Sequence, residues 1–477
     1  MARVEPESRT LAIASAATAL VLIAFTLPVG ILAPIGADLG TTATGNTWIL
    51  SSMSIGLAGT LLVAGSLADD LGRRRVFMAG LWLFTLSSVA SLLAPSTVVL
   101  TVARVVAGVG GGALLATSLG LLAHAFPDGE RRTHATGVWG AMIGVGVVIG
   151  PVSAALLSEA ASWRVAYAVL ALLSLALVVP AARGLTESRA ARVRRIDTTG
   201  LVLMCAGMVL LTAGIVQGNA FGWTSAPVLA GLAGGLGLLA AFAVWELRRR
   251  EPLMDLRLLR NPGFAAALLA SFVLGLTVLA FMSYSVTFLQ TTLAAGVLAA
   301  ALWTLAWSIP SVLVALRARA ISRYAGPRAQ TAGGLALSAA GLLLMLGLHG
   351  SSRPVHLLPG LLVLGVGTGI LNAAVARAAV ASVPPDMSSM GAGANNTMRY
   401  LGAAVGVALL VALLHANTTH PTADAAAHAM NTVLWIAAAA TLAGALAAFA
   451  LLRPRRAAPA LALTPDTDSA SPCPSRS

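Results

Sequence analysis

Ionisable residues are scarce in this chain, and three groups of residues have types and spacing that could do work inside an apolar medium. The densest is Gly65 to Val76, GSLADDLGRRRV, a charged turn between two long apolar runs. There Gly65 permits a tight helix end, Asp69 can cap or pair locally, Gly72 makes the turn, and Arg73, Arg74 and Arg75 can face anionic lipid or neighbouring helix ends. The second is Arg104 in LTVARVVAGVGGGA. A guanidinium inside such a run costs at least ~2.5–3.5 kcal/mol on insertion scales, so it reads as a functional residue, with snorkelling to the nearby surface as the rival reading. The third is GAMIGVGVVIGPVSAALLSE, where Gly140, Gly144, Gly146 and Gly150 precede Pro151. Small residues at this spacing let helices approach closely, and the proline frees a carbonyl, which makes a pivot.

The elements that must position these groups are membrane spans. Of 477 residues 58% are hydrophobic and 10% charged, with a mean hydropathy of +0.87, which is more apolar surface than a soluble core can hide. Runs able to cross a hydrocarbon layer of ~30 Å fall at 11–34, 47–68, 76–94, 98–124, 136–158, 163–183, 199–217, 226–247, 264–289, 294–316, 328–349, 356–383, 393–415 and 428–452. The pattern predicts an all-α polytopic membrane protein of fourteen spans. Placing the N-terminus in the cytoplasm puts 25 of the 30 Arg on that side and leaves only Arg164 and Arg353 in outer loops. Inserting or removing one span would reverse every later cluster, so the net charge of +13 reads as topology. It does not read as a nucleic-acid surface, because no basic stretch carries interleaved aromatics.

Cys205 and Cys473 fit neither a disulfide framework nor a metal site, and no CxxC, HExxH or GxxxxGK spacing occurs. No metal, cofactor or direct use of ATP is expected. No outer loop is long enough for a catalytic domain, so the chain is not expected to be an enzyme. MARVEPESRT leads into an uncleaved first helix, and the Ala, Pro and Ser-rich tail 453–477 is expected to be disordered. Lys is absent, which with the Ala and Gly excess suggests a GC-rich bacterial genome and hence a bacterial inner membrane, with both termini cytoplasmic.

Several segments carry a resemblance. G-x-L-A-D-x-x-G-R-R, in order between the second and third spans, resembles the signature loop of the major facilitator superfamily, a conformational latch carried here by Gly65, Asp69, Gly72, Arg73 and Arg74. Asp70 stands where that family usually has Arg. Arg104 followed by a Gly-rich stretch resembles the family's fourth-helix pattern linked to proton transfer, with Ala107 in place of the frequent Gln. Gly146, Gly150 and Pro151 resemble the hinge motif associated with exporters, with Ala154 and Ala155 in place of a further Gly pair. SWRVAY, EPLMDLRLLRNPGF, AISRYAGPR and GAGANNTMRYLGAAVG fit the fourteen-span drug:proton antiporters. The resemblance implies two six-helix halves (1–183 and 263–452) flanking a two-helix insert (184–262), a central cavity, and rocking between inward-open and outward-open states.

One departure has chemical weight. The subfamily carries an Asp in its first span, whereas LIAFTLPVGILAPIGADL has Phe25 and Thr26 near that place and no carboxylate before Asp38. Proton coupling then falls to Asp38 or Glu159 near the outer mouth, assisted by Arg104, or is absent. A cavity holding Arg104 and no fixed anion should favour neutral, zwitterionic or anionic compounds. Its candidate walls are Phe25, Trp139, Phe281, Tyr284, Trp303, Trp307, Asn372, Asn395 and Asn396, whose aromatic and amide groups suit an amphipathic ligand. Arg399 reads as a ligand for a helix end or a lipid phosphate, and Arg377 as a snorkelling side chain. The expected function is export of small amphipathic, antibiotic-like compounds in exchange for protons, by a monomer in the lipid bilayer. An uncoupled or differently coupled metabolite transporter and a non-transporting membrane sensor on the same scaffold are the rival readings.

Overall fold

The computed structural model describes residues 6–452 apart from 128, 190–196, 250–251, 253, 294 and 417–421. The tail expected to be disordered lies outside the described residues, as do Arg192, Arg194, Arg195 and Arg250. Seventeen α-helices follow one another: α1 (Pro6–Leu39), α2 (Ala43–Leu71), α3 (Arg73–Leu92), α4 (Thr97–Ala125), α5 (Gly129–Ala160), α6 (Trp163–Gly184), α7 (Thr198–Phe221), α8 (Ala226–Arg248), α9 (Pro262–Leu274), α10 (Ala280–Thr291), α11 (Val297–Trp303), α12 (Leu305–Leu316), α13 (Ala318–Tyr324), α14 (Pro327–Leu344), α15 (Leu358–Ala381), α16 (Ser388–Ala416) and α17 (Ala423–Leu451). A π-helical turn, Gly275–Leu279, joins α9 to α10. No strand occurs among the described residues.

Local chemistry sets the helix starts. Thr42, Ser96, Ser162, Asp197, Asn261 and Thr422 each accept a backbone N–H of the first turn that follows, supplying an acceptor the helix lacks. α2 and α3 are separated by Gly72 alone, at φ 115°, which a side-chain-bearing residue would adopt only with strain. α1 contains Pro28 and Pro34 and leaves helical geometry at Ile31 (φ −132°, ψ 16°), so the bend in this region has a covalent cause.

All fourteen expected runs fall on helices. Among the described residues twelve helices, counting α9 through α10 as one, are long and apolar enough to cross a membrane, and the pair α12 and α13, bent by 65°, makes thirteen if it counts as one span. The remaining expected run lies on α14, whose first turn carries the polar Arg328 and Gln330. Fourteen spans are compatible with this architecture. The run 294–316 is divided between α11 and α12, with Pro310 inside α12.

Helices α1 to α6 share one buried core, built around Leu57, Phe77, Phe84, Leu114, Trp139 and Tyr167. Helices α9 to α12 and α14 to α17 share a second, around Val278, Phe281, Trp307, Leu335 and Leu371. α7 and α8 lie outside both, packing Met204, Met208 and Phe242 against α2, α9 and α16, and α8 exposes Leu229, Leu236, Val244 and Leu247. Apolar side chains presented outward suit lipid as the solvent.

The two cores meet through glycine. A Cβ at Gly65 of α2 would overlap the Ser389 carbonyl of α16, and one at Gly393 of α16 would overlap the Leu61 carbonyl of α2. On the other flank, a Cβ at Gly137 of α5 would stand 2.5 Å from the Ala315 carbonyl of α12, and Ser308 donates to the Gly144 carbonyl at 2.8 Å. Backbone-to-backbone seams of this kind are how membrane helices gain packing energy without a hydrophobic driving force.

Candidate transport site

The charged turn is a fastening between the two halves. Asp69, in the last turn of α2, is fully buried. Its Oδ1 accepts from Arg73 Nε (3.0 Å) and Nη2 (2.8 Å) and from the Ser389 amide (3.2 Å), while Oδ2 accepts from the Met390 amide (2.8 Å). Ser388 opens α16, so these amides are among the donors a helix start leaves unpaired, and a carboxylate there also meets the positive end of the helix dipole. Arg73 Nε also donates to Ser389 Oγ (3.0 Å) and Nη2 to the Pro385 carbonyl (3.1 Å). The expected latch residues Gly65, Asp69, Gly72 and Arg73 are thus brought together. Arg74 faces elsewhere: its Nη2 donates to Ala182 at the end of α6 (2.6 Å) and its amide to Glu187 Oε1 (3.1 Å).

Further ion pairs mark the same end of the bundle. Glu130 at the start of α5 pairs with Arg319 and Arg323 of α13, a link between halves, and Arg131 pairs with Glu7 at the start of α1. The opposite end holds Asp38, which accepts from Arg164 and from Trp163 Nε1 (3.1 Å), while Arg164 also donates to the Ala94 carbonyl (3.1 Å).

Arg104 does not snorkel. It is 1% exposed, and its Nε donates to the Ile49 carbonyl of α2 (2.8 Å) and its Nη1 to the Ala24 carbonyl of α1 (3.1 Å) and to Tyr167 Oη (3.5 Å). Asp38 is not its direct partner. The two are joined through one turn of α6, in which Tyr167 meets Trp163 edge to face at 5.9 Å. Glu159 is exposed in the last turn of α5 and makes no ion pair among the described residues. Among the described residues every Asp and Glu lies in a connection or within a turn or so of a helix end.

Gly146 and Gly150 form the face on which α5 meets α1. A Cβ at Gly146 would stand 2.5 Å from Leu22 Cβ, one at Gly150 would overlap Thr26 Oγ1, and one at Gly30 would overlap the Pro151 carbonyl. Helix α5 runs through Pro151 unbroken, and the bend lies opposite it, at Ile31 of α1.

The expected cavity residues divide between the halves. Trp139 is in the first core, and Phe25, packed against it, meets Tyr400 of α16 edge to face at 5.6 Å. Phe281 and Trp307 are in the second core, with Tyr284 and Trp303 packed against it. Asn372, Asn395 and Asn396 are buried. Asn395 Oδ1 accepts from Ser271 of α9 (2.5 Å) and Asn396 Nδ2 donates to Ala392 O (3.2 Å), while Asn372 Oδ1, Asn395 Nδ2, Trp139 Nε1 and Trp307 Nε1 have no partner among the described residues.

Comparison with known proteins follows the same lines. The model of the family described as the Major Facilitator Superfamily matches residues 14–407. The chain belongs to the Major Facilitator Superfamily. It resembles the Multidrug resistance protein Stp of Mycobacterium tuberculosis (32% identical, covering 78% of this chain and 69% of that one). It also resembles the Cephamycin export protein CmcT of Amycolatopsis lactamdurans (33%, covering 88% of each) and the Puromycin resistance protein pur8 of Streptomyces alboniger (31%, covering 92% and 89%). The crystal structure of the human organic anion transporter MFSD10 superposes with a TM-score of 0.65 at 17% identity, over 92% of this chain and 100% of that one, a likeness of fold. As a Major Facilitator Superfamily member the protein is a multi-pass membrane transporter of small molecules, in a family of transporters rather than enzymes.

Sequence reasoning about this facilitator misses two site residues. Tyr167, which lies against Arg104, closes the SWRVAY segment, but nothing in the sequence sets it beside Arg104. Arg399 reads from the sequence as a ligand for a helix end or lipid phosphate. The structure buries it to 2% exposure, because α16 starts at Ser388 and carries Arg399 about three turns inward. Arg377, which reads as snorkelling, donates from Nη2 to Gln330 Oε1 (2.6 Å).

Proposed function

We propose that this transporter exports small amphipathic, antibiotic-like organic compounds across a bacterial inner membrane in exchange for protons. The observation that carries the reading is the Asp69–Arg73 fastening of α2 to the first turn of α16, since a latch that joins the halves at one end must release for that end to open. The multidrug resistance, cephamycin export and puromycin resistance for which Stp, CmcT and pur8 are named support the compound class and the direction. The halves that rock are 1–183 and 263–452, with 184–262 as the insert. Both termini are cytoplasmic, the latch faces the cytoplasm, and the protein works as a monomer.

Proton coupling is assigned to Asp38, with Glu159 as the second acceptor at the same mouth and Arg104 as the buried charge that responds. Gly146, Gly150 and Pro151, with the bend at Ile31, form the hinge between α1 and α5. Phe25, Trp139, Asn372, Asn395 and Asn396, with Phe281, Tyr284, Trp303 and Trp307, line the path of the compound. Uncoupled transport is the second reading, favoured by the lack of a mid-span carboxylate among the described residues.

The test uses purified protein in proteoliposomes with a trapped pH-sensitive dye and a panel of neutral, anionic and cationic antibiotics. Compound-dependent proton movement that disappears in Arg104→Ala is the expected result. Compound flux without proton movement would overturn coupling and leave transport standing; no flux of any compound would overturn the export reading.

A further inference from the structure

Arg399 is a buried cation without a counter-charge. Among the described residues its Nε and Nη2 have no partner, and its side chain makes neither an ion pair nor a hydrogen bond. An uncompensated charge in a low-dielectric interior is strongly unfavourable, so a residue held this way needs a partner supplied from elsewhere. Nε and Nη2 are the two nitrogens of one guanidinium edge, whose parallel N–H groups match the two oxygens of a carboxylate. Arg73 turns that same edge to Asp69.

A third donor lies beside it. Asn395 is one turn earlier on α16, and helix side chains lean toward the N-terminus, which sets Arg399 over Asn395. Ser271 of α9 occupies Asn395 Oδ1 at 2.5 Å, leaving Nδ2 buried and unpaired. The two side chains therefore present donors and no free acceptor. The backbone around them is tightly held. A Cβ at Gly275, first residue of the π-helical turn, would overlap the Arg399 carbonyl, and one at Gly402 would overlap the Phe272 carbonyl. π turns inside helices recur at functional sites.

We propose that Arg399 and Asn395 form the receptor for an anionic oxygen pair, a carboxylate or a delocalised enolate, on the exported compound. This rests on the export reading above and narrows its substrate class to amphipathic acids.

The experiment measures binding to the purified full chain, by thermal shift and tryptophan fluorescence. The probes are nalidixic acid, fusidic acid and benzylpenicillin, each beside its methyl ester, with ethidium as a cation and chloride as an inorganic anion. At least one acid is expected to bind about 10- to 100-fold more tightly than its ester, the range of hydrogen bonds to a charged group. Arg399→Gln is expected to erase that preference while leaving ester binding in place, Arg399→Lys to restore part of it, and Asn395→Ala to weaken the acid alone. Without ligand, Arg399→Gln is expected to melt no lower than wild type, since it removes an unpaired charge; a structural guanidinium would give a lower melting temperature. Equal binding of acid and ester by wild type, acid preference that survives Arg399→Gln, or protection by chloride alone would overturn the proposal. Efflux of esters and ethidium from wild-type vesicles with no preference for acids would sink only this receptor, whereas absence of efflux for every compound would sink the export reading itself.

Discussion

Arg104 Nη1 donates to the Ala24 carbonyl at 3.1 Å, the carbonyl that Pro28 has no N–H to meet. In a membrane helix a freed carbonyl must find another donor, and here it comes from a different helix of the same half. The same guanidinium reaches Ile49 of α2 through Nε, so one cation holds α1 and α2 against α4. Arg104→Gln is expected to lower stability by about 2–4 kcal/mol, since hydrogen bonds from a charged group contribute ~1.5–3 kcal/mol each. Pro28→Ala should recover part of that loss in the Arg104→Gln background, because the substituted position would return a backbone N–H to the Ala24 carbonyl from within α1. Thermal melts of the four proteins of the cycle give the coupling, expected at roughly 1–2 kcal/mol; strict additivity would show that the two sites do not share this carbonyl.

The Asp69 latch predicts a conformational effect rather than a general loss of fold. Removing one member of a buried ion pair costs about 3–5 kcal/mol in the state that contains the pair. Asp69→Asn should therefore shift the population away from the closed latch. A cysteine introduced at Ala392, buried beneath this seam, is expected to react with a thiol reagent more than about tenfold faster in Asp69→Asn than in the otherwise intact protein, a shift well within the energy of the pair. Arg73→Gln should do the same, and the double variant should exceed neither by much. Unchanged labelling in both single variants would mean that the pair does not hold this end shut.

Much of this arrangement is legible in the sequence, for identifiable reasons. Apolar length and the side bias of Arg expose spans without knowledge of their neighbours, so every expected run falls on a helix. Gly65, Asp69, Gly72 and Arg73 are readable because their contacts sit in one turn and at one helix start. Arg399 is misplaced by sequence reasoning because its depth depends on where α16 begins, and the 3-10 turn Pro385–Met387 that sets this start gives no hydropathy signal. The bond from Arg104 to Ala24 is hidden for a different reason. It joins a donor and a backbone acceptor 80 residues apart, and a carbonyl has no letter in a sequence. The split of α11 from α12 is likewise invisible, since both pieces are equally apolar.

Two glycines that face the same serine are expected to behave differently. A Cβ at Gly120 of α4 would overlap Ser389 Oγ, a side-chain atom, whereas a Cβ at Gly65 would overlap the Ser389 carbonyl, which every residue carries. Both Gly120→Ala and Gly65→Ala should slow transport severely by keeping α16 from seating. Ser389→Gly should rescue the first and not the second, since it removes the hydroxyl and the Cβ but leaves the carbonyl in place. Initial efflux rates in vesicles decide the matter. Equal rescue of both would mean that α16 can shift as a unit, against the backbone contacts of Gly65 and Gly393.

The end of the bundle opposite Asp69 supplies the test of the proposed coupling. Asp38 is held by Trp163 and Arg164 at the start of α6, and one turn on, Tyr167 lies against Trp163 and faces Arg104. Under the proposed coupling, a proton arriving at Asp38 would weaken its tie to Arg164, free the first turn of α6, and be felt at Arg104 through Tyr167. Asp38→Asn should therefore abolish compound-dependent proton movement while leaving compound binding intact. Trp163→Phe, which removes the indole donor but keeps an aromatic edge, should reduce coupling partially. Glu159→Gln serves as the comparison: its carboxylate is exposed and makes no ion pair among the described residues, so its loss should change proton movement little if Asp38 is the principal acceptor. Full coupling in Asp38→Asn together with loss in Glu159→Gln would move the proton site to α5 and leave α6 as scaffolding for the mouth.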